Sequence, residues 1–101
     1  MHIVACMVEN IYVYDAKPRI ERSLFEGNAS KNGGAIYVDR QNAELNLING
    51  VLYNNTATER GSAIFSYNRS TLNIYHTTIS KNTAGINATI RPDYGSKIYF
   101  Y

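Results

Sequence analysis

Apolar residues return along this chain at one long interval, and between returns they alternate with polar ones. Phe25, Leu52 and Ile79 are evenly spaced, at about 27 residues, and each precedes by three positions an asparagine of the series Asn28, Asn55 and Asn82. A second apolar series, Ile11, Ile36, Ile64 and Ile90, recurs at nearly the same interval, with small changes of length from copy to copy. Its middle members close the tetrads Gly33-Gly34-Ala35-Ile36 and Gly61-Ser62-Ala63-Ile64, whereas Asn87-Ala88-Thr89-Ile90 retains only the isoleucine. A third unit, Ala43-Glu44-Leu45-Asn46-Leu47, is matched by Ser70-Thr71-Leu72-Asn73-Ile74. Pro18 with Ile20, and Ile98 with Phe100, hold the same offsets before and after it.

Within each unit the alternation has a period of two, the signature of a half-buried strand, and no stretch shows the 3.6-residue period of a helix. Three short strands per repeat are predicted, separated by turns rich in Gly, Asn, Ser and Asp. Copies of one unit at a fixed period stack, each strand beside its own copy at about 4.8 Å, whereas successive strands of a sandwich need not resemble one another. The pattern therefore predicts an all-β, right-handed parallel β-helix (solenoid), with about four coils of 25–28 residues. Residues 1–101 would form a single domain, and because the chain stops at Tyr101 inside a predicted strand, they are expected to be a fragment of a longer solenoid.

The asparagine column is predicted to be a ladder of side-chain amides that satisfies turn backbone. The glycine pairs are predicted to supply φ values that other residues adopt only with strain. As a phosphate cradle they lack the following lysine and helix.

Phe25-Glu26-Gly27-Asn28 followed by Gly33-Gly34-Ala35-Ile36 resembles the paired FxxN and GGAI repeats of chlamydial-type polymorphic outer membrane proteins and related bacterial surface β-helices. The second coil keeps Asn55 but has Leu52 for Phe and Ser62 for Gly, and the third keeps Asn82 without the glycine pair. The resemblance covers about residues 11–101. It implies a parallel β-helix from a secreted or cell-surface protein, often an adhesin or autotransporter passenger, and it implies no catalytic residue. Pectin-lyase-like enzymes share such coils, so fold alone does not assign activity.

Ten basic and eight acidic residues, scattered, give a net charge of +2, too small a field to imply a nucleic-acid partner. Cys6 has no second cysteine to pair with and is predicted to be a buried, inert thiol. His2 and His76 lack a second ligand at metal spacing, so neither a metal nor a cofactor is expected. Met1–Val8 carries no basic leader and no apolar run approaches the roughly 20 residues of a spanning helix, so neither a signal peptide nor membrane insertion of this segment is expected.

If the isoleucine series points inward, the next residue and the one two further on face out. That rule predicts an exposed column of Tyr12, Tyr37, Phe65 and Arg91 beside a second column of Tyr14, Asp39, Tyr67 and Asp93. Flat rings with interspersed carboxylates suit a sugar or a protein partner, and equally suit aromatic pairs that brace the sheet. Tyr12, Tyr37, Phe65, Tyr67, Asp39 and Asp93 are the candidate binding residues. Asp39 and Asp93, two rungs apart, would lie roughly 10 Å from one another, near the upper end of the span used by inverting glycosidases, but Tyr67 would stand between them. The function expected is a non-enzymatic scaffold or adhesin-like segment that binds a glycan or a host or surface protein. The competing expectation is a carbohydrate-active lyase or hydrolase. If the chain is instead complete, the unpaired strand at the end of such a stack predicts head-to-tail self-association.

Overall fold

The structure, a computed structural model, describes residues 2–4, 11–86 and 89–101. Two strands, β1 (His2–Val4) and β2 (Ile11–Tyr14), precede the first complete turn. That turn is β3 (Arg19–Glu21), β4 (Leu24–Glu26), β5 (Ala29–Asn32) and β6 (Ile36–Asp39). The second is β7 (Glu44–Ile48), β8 (Val51–Tyr53), β9 (Thr56–Arg60) and β10 (Ile64–Tyr67). The third is β11 (Thr71–Tyr75), β12 (Thr78–Ser80), β13 (Thr83–Ile86) and β14 (Ile90–Pro92), and β15 (Lys97–Phe100) follows. Every pairing among them is parallel, and the described residues contain no helix. The chain is a parallel β-solenoid of three complete turns flanked by strands of partial ones.

Corresponding strands meet in four sheets, ordered β1-β3-β7-β11-β15, β2-β6-β10-β14, β4-β8-β12 and β5-β9-β13. The register pairs like with like. Phe25 lies beside Leu52 and Leu52 beside Ile79; Ile36 sits between Ile11 and Ile64; Leu45, Leu72 and Ile98 align. This alignment is what the apolar spacing predicts, because a slip of one residue would turn every apolar side chain outward. Ile20, Phe25, Ile36, Val38, Leu45, Leu47, Leu52, Ile64 and Leu72 are wholly buried in one core threaded along the axis.

Each turn adds a fourth strand, β5, β9 or β13, to the three predicted. Its sequences, Ala-Ser-Lys-Asn, Thr-Ala-Thr-Glu-Arg and Thr-Ala-Gly-Ile, are polar or small but for one isoleucine, and β5 and β9 turn the small residues Ser30 and Ala57 inward. Ala57 is buried there, and the register shifts between Ser30 and Asn32. A strand that contributes only a small side chain to the core carries almost no hydrophobic period to detect.

At the corner before this strand the asparagine ladder forms. Asn55 Oδ1 accepts from the backbone N–H of Asn28 at 3.0 Å and from its Nδ2 at 3.1 Å. Asn82 Oδ1 accepts from the same two groups of Asn55 at 2.8 and 2.9 Å. Asn55 Nδ2 also donates to the Phe25 carbonyl, and Asn82 Nδ2 to that of Leu52, each at 3.0 Å. The phenylalanine or leucine and the asparagine of each repeat are therefore tied across coils.

The glycines of the next corner divide their work. Gly33 and Gly61 adopt φ of 66° and 64°, as the turn predicts. Gly34 is needed for a different reason: a Cβ there would lie 2.1 Å from the Ser62 carbonyl oxygen. Cys6, Asn87 and Ala88, and the expectations attached to them, lie outside the described residues.

Candidate contact surface

Because Ile36 and Val38 are buried, Tyr37 and Asp39 point outward from β6, and the aligned strands place their counterparts beside them. Tyr12 pairs in register with Tyr37 and Tyr37 with Phe65; Tyr14 pairs with Asp39 and Asp39 with Tyr67. Asp93 follows in the next rung, its N–H bonded to the Ser66 carbonyl at 2.8 Å. All six candidate residues thus belong to the outer side of one sheet and its margin.

The rings form one unbroken chain. Centroids run from Tyr14 to Tyr12 at 5.8 Å, to Tyr37 at 5.0 Å, to Phe65 at 5.1 Å, to Tyr67 at 5.6 Å and to Tyr94 at 4.9 Å. Tyr37 meets both Tyr12 and Phe65 edge to face, at 76° and 85°. Such pairs add about 0.5–1.5 kcal/mol each beyond their burial. Edge-to-face stacking directs much of the ring surface at neighbouring rings.

Phe65 is the correction this arrangement makes. It lies in the outer column, as the alternation requires, yet it is only 1% exposed, because Tyr37 and Tyr67 close over it from either side. It belongs to a small outer core, separate from the isoleucine core. The surface open to a partner is at the ends of the ring chain, at Tyr12 and Tyr14, 57% and 47% exposed, and at Tyr94, 72% exposed. Arg40 lies 5.0 Å above the Tyr14 ring. Neither Tyr94 nor Arg40 stands in the strand columns from which the sequence pattern names candidates; both occupy turns, where the period of two stops.

Asp39 Oδ2 accepts a hydrogen bond from the Tyr12 hydroxyl at 3.2 Å, while its Oδ1 is buried without a partner. Asp93 Oδ1 pairs with Arg91 Nε at 3.8 Å. Tyr67 lies within the field of both carboxylates. The two acids have different partners, and Tyr67, in register beside Asp39, lies near both. Among the described residues no three His, Cys, Asp or Glu side chains gather as a metal site, and no helix is long and apolar enough to cross a membrane.

Burial, reinforced by Asp39, raises the phenol pKa of Tyr12 above 10.0, and burial with Asp39 and Tyr67 raises that of Tyr37. Tyr67 is raised by burial and then by Tyr94, and Tyr101 by burial and then by Tyr75, on which its ring stacks at 4.3 Å. A phenol whose folded pKa exceeds its unfolded one contributes stability that is complete below pH 10 and is lost as pH rises through the folded value. The unfolding midpoint should therefore be level from neutral pH to about pH 9 and fall steadily above about pH 10. Thermal melts followed by circular dichroism, with phenolate absorbance recorded in parallel, check this. A midpoint indifferent to pH up to 11.5 or so would mean that the rings titrate as free tyrosines.

The polar side of β7 and β11 holds a feature that the sequence pattern marks as a repeat without assigning a role. Asn73 Nδ2 donates to Asn46 Oδ1 and to Glu44 Oε2, each at 3.2 Å, which makes a second amide ladder on the outer surface. A repeated asparagine in a strand, rather than at a corner, is the signal for it.

Residues 22–39 match the family model for the Chlamydia polymorphic membrane protein repeat. No curated protein and no solved structure matches the chain. The matched span takes in β4, β5 and β6 and both corners between them, with Asn28 bonded at the first and Gly33 turned at the second. The chain is accordingly a parallel β-solenoid carrying a repeat of the polymorphic membrane protein type.

Proposed function

We propose that this chain is a non-enzymatic segment of a surface-displayed β-solenoid, a rigid spacer whose outer side meets a glycan or a partner protein. The observation that carries the reading is the family match at residues 22–39, in which the matched asparagine and glycines hold the corners of the stack. Tyr12, Tyr37, Tyr67 and Asp39 brace the sheet, and the exposed rings at Tyr14 and Tyr94 offer contact area with little conformational entropy to lose.

An antibody raised against the folded chain tests the display. It should label intact cells that produce the parent protein, and brief protease treatment of those cells should abolish the signal. Labelling only after permeabilisation would sink the reading, as would release of shortened oligosaccharides when the purified chain is incubated with polygalacturonate.

A further inference from the structure

The turns that join the aromatic sheet to its neighbour leave a groove of about 270 Å³ lined by Gln41, Arg69, Thr71, Gly95 and Lys97. Two cations converge there. Arg69 stands in the turn between β10 and β11 with φ of 63°, following Asn68 at 62°, and its N–H is held by the Tyr94 carbonyl at 2.9 Å. Lys97 opens β15 in register with Thr71. A Cβ on Gly95 would lie 3.2 Å from Arg69 Cγ, so the arginine stem packs closely on this glycine.

The acids nearest in sequence register each have a partner other than Arg69 and Lys97. Glu44, aligned with Thr71, accepts from Asn73, and Asp93 pairs with Arg91. Among the described residues Arg69 and Lys97 have no ion-pair partner within 4.0 Å. Tyr94, the most exposed large ring of the chain, belongs to the same turn as Gly95.

We propose that this groove binds an anionic glycan, one whose uronate carboxylates or sulfates are held by Arg69 and Lys97. Gln41 and Thr71 offer hydrogen bonds to its hydroxyls, and Tyr94 offers a ring face for a sugar. A guanidinium and an ammonium in one groove suit a ligand with charge repeated along its length, and the amide and hydroxyl between them suit a polyol better than an apolar peptide. The inference rests on the contact role proposed above and names the ligand class for it. It also moves the site from the aromatic face, where Asp39 would repel an anion, to the corner beside it, where the acid of the turn, Asp93, is paired with Arg91.

Titration calorimetry of the full chain with three probes tests it: a heparin oligosaccharide for sulfate, a polygalacturonate oligosaccharide for carboxylate, and a neutral cello-oligosaccharide. At least one charged probe should bind and the neutral one should not. The double variant Arg69→Gln/Lys97→Gln should weaken the charged probe at least about tenfold, through loss of two charge-assisted contacts. Its salt dependence should flatten, because counterion release scales with the cations engaged. Both side chains are exposed, so the thermal midpoint of the variant should match that of the parent chain.

The variant Arg22→Gln/Lys81→Gln, which removes two exposed charges at other corners, should bind as the parent does. Equal weakening by both variants would overturn the inference, as would undiminished binding by the first. Binding of poly-glutamate as tight as that of either glycan would assign the groove to acidic proteins instead. Failure of every anionic probe would likewise remove the groove as a glycan site, while cell-surface labelling by the antibody would leave the display role standing.

Discussion

Gly34→Ala should destabilise the solenoid by about 3 to 5 kcal/mol, since overpacking costs about 1–3 kcal/mol and each broken hydrogen bond about 1 more. The new Cβ would sit 2.1 Å from the Ser62 carbonyl oxygen and 2.9 Å from that of Thr56. Both obstacles are backbone of the next coil, so no side chain can swing aside. Relief requires that the Gly33–Ala35 corner lift, and that corner is fastened at Gly33 N to Arg60 O, 2.9 Å, Gly34 N to Gly61 O, 3.0 Å, and Ala35 N to Ala63 O, 2.9 Å. Gly27→Ala is the matched control. Gly27 has φ of 70° but nothing within 4 Å of its added Cβ, so the cost there is only the left-handed backbone, about 1–2 kcal/mol. Urea unfolding of the two variants separates the effects. Equal losses would mean that the coils are not packed as closely as the structure has them.

Asn55→Ala should cost about 2 to 6 kcal/mol, because it leaves two groups unpaired at about 1–3 kcal/mol each. Asn55 is fully buried and works in both directions along the axis. Toward one coil its oxygen satisfies the Asn28 N–H and its amide the Phe25 carbonyl, and toward the other its amide reaches Asn82. Alanine offers neither function and admits no solvent to replace it. Asn55→Asp retains the oxygen while setting a carboxylate against two acceptors, the Phe25 carbonyl and Asn82 Oδ1, so it should recover stability only at acid pH, where the carboxyl carries a proton. Unfolding free energies of both variants at pH 4 and pH 7 check this. A neutral Asn55→Ala would remove the ladder as a source of stability.

The solenoid, its parallel pairing and its asparagine column are legible in the sequence because each depends on identity at a fixed spacing. Phe25, Leu52 and Ile79 can recur at one constant interval only if something makes equivalent positions equivalent, and stacking does. The fourth strand is not legible, because Ser30 and Ala57 contribute too little apolar surface to mark a period. The role of Gly34 is not legible either: its neighbour is a carbonyl one coil onward, and nothing in a list of residues measures that approach. The outer face is half legible. Alternation places Phe65 outside, but whether an outward residue meets water depends on what flanks it, and here two tyrosines do. Arg69 and Lys97 lie a full coil apart with unrelated neighbours, so only the folded turns bring them to one groove.

The corner bonds have a kinetic consequence. Each of these joins residues of different coils. A single coil therefore gains little by forming alone, and the second must arrive before the first is held. Folding of such a stack should show a slow nucleation of two adjoining turns followed by faster addition of the others, like a zipper whose first two teeth are the hard ones. Amide hydrogen exchange should echo that order, with the deepest protection in the turn β7–β10, which is clasped from both sides, and shallower protection in the turns next to it.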